Sequence, residues 1–198
     1  MLSKKILTII LFLLVLFSNI EKVYSIEPDV FVQSTVNRAS EALNNKYSKE
    51  EKIEKLKQIA SETVDVKGIG YYTLGAYRKN MSDNEITQYE ILFEQYFLKS
   101  FSSRLAEYSN PEINVYNKEK LNENYTIVNS TLKATNERPE IKIDWRIYTK
   151  IADKPLIRDL IIEGLSLART QKEEFNSVLQ SNEGDINALF KTLEEFVK

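Results

Sequence analysis

The sequence predicts an α+β fold in which N-terminal and C-terminal helices pack on one curved antiparallel sheet of about four strands. Three observations predict it. Apolar residues recur at helical spacing as far as Tyr108. From Ile141 to Tyr148 the period changes: Ile141, Ile143, Trp145 and Ile147 alternate with Lys142, Asp144, Arg146 and Tyr148, the pattern of a strand with one dry face. Helical spacing then returns after Thr170 and holds to the C-terminus. Helices, a meander and helices again suit one layer of each kind around a shared core.

Residues 1–25 are set apart from that fold. Lys4 and Lys5 precede an uncharged run from Ile6 to Phe17, and Val23-Tyr24-Ser25 closes the segment. This is the layout of a secretory signal peptide cleaved after Ser25, with an uncleaved N-terminal anchor as the alternative. The chain has no cysteine, so lipoprotein processing is excluded and an exported domain must be held by its core instead of disulfides. Residues 26–198 suffice for a single domain, with a helical part over about 28–110, the sheet over about 112–168 and C-terminal helices over about 170–198. Histidine is absent as well. That removes Ser-His-Asp and Cys-His catalysis and leaves only oxygen ligands for a metal. A net charge of −2 argues against nucleic acid as a partner.

The first helix starts at Pro28-Asp29, places Val32, Val36, Ala39 and Leu43 on one face and ends near Tyr47. A second, from Lys49, buries Ile53, Leu56, Ile59 and Ala60 and turns a charged face to solvent. The next segment, Asp65 to Lys79, holds Gly68, Gly70 and Gly75. Each glycine costs about 1 kcal/mol relative to alanine inside a helix, so three need a reason: close helix packing, or room for something that is not protein. Ser82 and Glu85 form a capping box that opens a long helix to about Tyr108. Ile86, Tyr89, Phe93, Tyr96, Phe97, Phe101, Leu105 and Tyr108 make its stripe, and Ile91, Leu92 and Leu98 widen it. Such breadth means cover on two sides, either core on both or core on one and a cavity on the other.

Pro111 ends the helical half. Ile113 and Val115 start a short strand, and Tyr125 to Asn136 carries Val128, Leu132 and Ala134 on one face. The connections Glu137-Arg138-Pro139 and Ala152-Asp153-Lys154-Pro155 are short enough for hairpins. The fourth strand has aliphatic groups on both faces: Leu156, Leu160 and Ile162, then Ile157 and Ile161. Gly164 marks a bulge or a close approach. Thr170 and Glu173 read as a capping box that starts the following helix, and Gly184-Asp185 introduces the last, which carries Ile186, Leu189, Phe190, Leu193 and Phe196.

Reactive groups are few. Asp159 and Glu163 lie about 13 Å apart along an extended strand at a rise near 3.3 Å per residue, too far for a shared-proton pair or a glycosidase pair. A buried Asp159 bonded to backbone or to an arginine accounts for it, and Ser166 has no histidine to activate it. Apolar surface is abundant by contrast. A two-chain lipid has roughly thirty methylenes, each costing about 0.8 kcal/mol when exposed to water, and only a deep, dry pocket removes that cost. Judged by face and apolarity, the walls of such a pocket are Ile69, Thr73, Tyr89, Phe93, Tyr96, Phe97, Val128, Leu132, Ile143, Trp145 and Ile147, between helices and sheet. Two other classes stay open: a small hydrolase or isomerase with Asp159 as base, and an envelope adaptor whose apolar faces are plain core.

Three motifs carry a resemblance. The run Asp65 to Tyr77 (DVKGIGYYTLGAY), the Ser82-x-x-Glu85 helix rich in Phe and Tyr, and Asp159-x-x-x-Glu163-Gly164-x-Ser166 before a helix with Phe175 together resemble the MlaC family, from about Pro28 to Phe196. The resemblance implies a periplasmic carrier, not an enzyme, with no cofactor and no metal. It would be a monomer holding a glycerophospholipid by its acyl chains with the head group outward. Implied partners are an inner-membrane ABC lipid transporter complex of the MlaFEDB type and an outer-membrane MlaA-porin complex. It also implies pocket roles for Leu74, Gly75 and Tyr77 and for Leu160, Ile162, Gly164 and Ser166. Relatives commonly place an aromatic shortly before the aspartate, where this chain has Arg158.

Overall fold

The computed structural model describes residues 25–198 apart from residue 137. The signal peptide expected over residues 1–25 therefore lies, except for Ser25, outside the described residues. Among the described residues, six α-helices pack on one open antiparallel sheet of five strands. Helices α1 (Pro28–Ala42), α2 (Lys49–Thr63), α3 (Val66–Leu74) and α4 (Asp83–Leu105) precede the sheet. Strands β1 (Ile113–Asn122), β2 (Tyr125–Leu132), β3 (Ile141–Tyr148), β4 (Leu156–Ile162) and β5 (Leu165–Ser166) follow in spatial order, and α5 (Leu167–Ser181) and α6 (Ile186–Val197) close the chain. Among the described residues, no helix is long and apolar enough to cross a membrane.

The helix starts follow their caps. Ser48 with Glu51 and Ser82 with Glu85 each form a complete capping box, opening α2 and α4. Helix α1 ends at Ala42, short of Tyr47, because Asn44 Oδ1 accepts from the Lys46 amide at 3.0 Å and turns the chain. On α4, Tyr89 and Phe93 are buried, whereas Ile91, expected to widen the apolar stripe, is 54% exposed. It stands on the turn's outer side, where neither sheet nor helix covers it.

Two features of the sheet depart from expectation. Strand β1 is ten residues long and pairs with β2 as far as Asn122. Its outer half is exposed throughout, so it has no hydrophobic alternation by which to read it. Ala134 lies beyond the end of β2 and is exposed.

The fourth strand holds the larger correction. Ile143 and Trp145 pair with Ile162 and Leu160, but after Arg146↔Asp159 the register slips and Ile147 pairs with Ile157. The bulge is therefore at Arg158, not at Gly164, and it changes the parity of β4. Ile157 consequently shares the inner face with Leu160 and Ile162 instead of opposing them. Glu163 (φ 50°) and Gly164 (φ 83°) form the two-residue turn between β4 and β5, with left-handed backbone at both central positions.

That tight turn also moves the start of α5. Ser166, at the end of β5, caps the helix by accepting from the Arg169 amide at 3.1 Å, so α5 begins at Leu167 and Thr170 lies inside it. The Thr170 hydroxyl donates back to the Ser166 carbonyl at 3.1 Å.

Candidate functional site

A cavity of about 300 Å³ lies between the concave face of the sheet and the helices. Its floor is Leu132, Ile143, Trp145, Ile157, Leu160 and Ile162, the inner face of β2 to β4 that the Arg158 bulge makes continuous. Its roof is Val36 and Ala39 of α1 with the C-cap residue Leu43, Leu56, Ile59 and Ala60 of α2, and Phe93, Tyr96, Phe97, Phe101 and Leu105 of α4. Leu167 and Ala168 at the start of α5 complete the wall.

Hydroxyls in this wall do not make it polar. Thr35 donates to the Phe31 carbonyl at 2.9 Å, Thr63 to the Ile59 carbonyl at 2.7 Å and Ser40 to the Pro111 carbonyl at 3.1 Å. Each turns its polar atom to the backbone and leaves carbon facing inward. Trp145 is treated likewise: its Nε1 donates to Ser130 Oγ at 2.8 Å, and Ser130 donates in turn to the Ile143 carbonyl at 3.0 Å. The indole's one polar atom is thus satisfied inside the sheet. Tyr96 donates to Gln171 Oε1 at 2.9 Å, and burial holds its hydroxyl above the usual tyrosine range.

Asp159 is the one carboxylate that reaches this wall from the sheet. It is 3% exposed and accepts from Ser166 Oγ at 2.6 Å, the Ala168 amide at 3.0 Å and Arg146 Nη1 at 3.3 Å. All three bonds tie β4 to the start of α5 and to β3. Asp144 accepts from Asn129 Nδ2 at 2.8 Å on the outer face of the sheet.

The expected pocket residues divide into two sets. Ile69, Phe93, Tyr96, Phe97, Leu132, Ile143, Trp145, Leu160 and Ile162 line the cavity. Thr73, Leu74, Tyr89, Val128 and Ile147 do not: they are nearly or wholly buried in solid core beyond its closed end. There Thr73 donates to the Gly70 carbonyl at 2.7 Å, which leaves the Tyr89 hydroxyl to donate to Thr73 Oγ1 at 2.7 Å. Burial of that pair pushes the Tyr89 hydroxyl far above its ordinary pKa.

Gly75 is also remote from the lining. It caps α3 with φ 56° and sits against the Lys172 stem of α5, where a Cβ would lie 3.1 Å from Cε. Tyr77 packs half-buried against the core and beside Gly184. Gly164 is exposed in its turn, with open space where a Cβ would be, and Ser166 serves as the cap of α5. The contributions of α1 and α2 were missed. Their apolar faces were legible, but one helix face looks the same whether it meets protein or a void.

With this geometry in hand, the MlaC protein family matches residues 33–195. The chain belongs to the MlaC family. The match runs from within α1 to within α6 and so takes in every wall of the cavity. A phospholipid-binding protein from Ralstonia solanacearum, solved in complex with a phospholipid, shares the fold at 17% identity with a TM-score of 0.73, covering 87% of this chain and 97% of that one. No curated protein matches the chain by sequence.

In this MlaC chain the position before Asp159 is filled by a locked cation. Arg158 pairs through Nε with Asp65, the N-cap of α3, and its guanidinium lies 4.6 Å from the centroid of the Tyr148 ring. Gly68 makes room for the pair, since a Cβ there would come within 2.7 Å of the Arg158 guanidinium carbon. The same residue that forms the bulge therefore anchors α3 to the sheet.

Proposed function

We propose that this MlaC protein is a periplasmic carrier of a glycerophospholipid, without chemistry of its own, exported as residues 26–198. It holds the acyl chains in the cavity and shuttles the lipid between an inner-membrane ABC transporter complex and an outer-membrane lipoprotein-porin complex. The observation that carries the reading is a cavity between sheet and helices whose wall is mostly apolar, with the hydroxyls of Thr35, Ser40 and Thr63 and the indole nitrogen bonded back into the protein. Each methylene moved into such a wall contributes about 0.8 kcal/mol, a gain that enclosure alone supplies. At about 300 Å³ the cavity is at the small end of ligand pockets.

Asp159, the residue a hydrolase would use, is spoken for by Ser166, Ala168 and Arg146. The test is native mass spectrometry of the protein as isolated from the periplasm, followed by solvent extraction. The expected result is one glycerophospholipid per chain. Protein that is reproducibly empty, and that takes up no lipid from vesicles, rejects the reading.

A further inference from the structure

We propose that the cleft between the end of α4 and the β2–β3 hairpin is a subsite for the phosphate of the carried lipid, held by Arg104 and Arg138. The proposal rests on the reading that the cavity takes a phospholipid. Its first support is continuity. Arg104 and Tyr108 belong to the wall of the apolar cavity and also to the wall of this cleft, which Thr135, Asn136 and Arg138 line from the sheet side. Whatever is attached to a chain leaving the cavity past Leu105 enters the cleft next.

The second support is uncommitted charge. Among the described residues neither Arg104 nor Arg138 has an ion pair, while Glu107, which also lines the cleft, is engaged by Lys49 at 2.5 Å. Arg138 is held in place by its face, with the guanidinium carbon 4.9 Å from the centroid of the Tyr108 ring. Its Nε is buried and has no hydrogen-bond partner. A guanidinium positioned by stacking keeps its edge for an anion, and the planar fork matches two oxygens of a phosphate. A second arginine on the facing helix end completes a two-sided clamp. Because the cleft is open, the alcohol beyond the phosphate stays in water. The site then distinguishes lipids by the presence of phosphate far more than by the identity of the head-group alcohol.

The test uses the lipid-stripped mature protein and two lipids with identical acyl chains, dioleoylphosphatidylglycerol and dioleoylglycerol, competing with a fluorescent phospholipid. Wild type is expected to bind the phosphate-bearing lipid about tenfold more tightly, and the ratio should shrink in about 1 M salt. In R104Q/R138Q the ratio falls towards one; R138K, which keeps the charge and loses the fork, falls between. A wild-type ratio near one, or a ratio unchanged in R104Q/R138Q, overturns the subsite and leaves the carrier reading standing. Failure of folded wild type to bind either lipid overturns both. Inorganic phosphate is titrated in parallel: binding that R104Q/R138Q abolishes and that bound lipid does not block identifies a free-anion site and overturns the proposal.

Discussion

The two halves of α4 use the same residue types to opposite ends. In the first half, Tyr89 is buried in solid core, and Phe93, which also borders the cavity, stacks on it with centroids 5.6 Å apart and meets Phe175 edge-on at 6.1 Å. In the second, Phe97 and Phe101 stack at 5.6 Å but keep one side to the cavity. The difference comes from the facing helix. Gly70 lets the backbone of α3 reach Phe93 so closely that a Cβ there would be 2.8 Å from the ring. Along the second half, α2 packs on α4 through Leu56 and Leu105, and the cavity lies between these helices and the sheet. An aromatic stripe is thus core or ligand wall according to how near its neighbour's backbone can come.

This contrast can be broken by substitution. Phe93→Ala should produce the largest effect, about 3–5 kcal/mol of lost stability in urea unfolding, because the filled half cannot collapse around the void. Phe101→Ala should cost under about 1.5 kcal/mol in lipid-free protein, since its ring already borders empty space, yet it should speed release of a fluorescent lipid severalfold. Equal stability losses for the two would show that the halves are alike. Gly70→Val should cost about 1–3 kcal/mol by forcing α3 off the Phe93 ring.

Tyr89→Phe sharpens the sealed end at a smaller magnitude. It removes one buried hydrogen bond to Thr73, worth about 1 kcal/mol at neutral pH. Its pH dependence has a definite sign. Burial raises the folded-state pKa of Tyr89 above 10, so the folded state holds a proton that the unfolded state gives up. Stability from this source is full below about pH 10 and is lost as pH rises beyond it. Urea midpoints measured from about pH 8 to 11 should fall more steeply for wild type than for Tyr89→Phe; parallel curves would show that Tyr89 ionises freely.

Much of the cavity could be read in advance where alternation and burial coincide. Ile143, Trp145 and Leu132 were legible as a dry strand face, and Phe93, Tyr96 and Phe97 as a broad helix face. Leu74, Gly75, Tyr77 and Ser166 were placed near a pocket by their motifs, but they join α3 to α5, close α3 and cap α5. Residues with strict backbone or capping requirements make conspicuous motifs whether or not they touch a ligand. The start of α5 was misread because Thr170 and Glu173 have the spacing of a capping box while Ser166 lacks an acid three residues on. The hairpin turn at Glu163-Gly164 decided for Ser166.

The sequence by itself determined the helical and strand segments, the Ser82–Glu85 cap, the inward faces of β2 and β3 and the absence of histidine and cysteine chemistry, because these depend on composition or on residues within one or two turns of each other. Only the tertiary structure decided where the packing stops. The bulge at Arg158 joins Ile157 to the floor, Gly70 brings α3 onto one half of α4, and the other half borders the cavity. Those outcomes depend on distances between backbones far apart in the chain, and no local pattern records a gap between them.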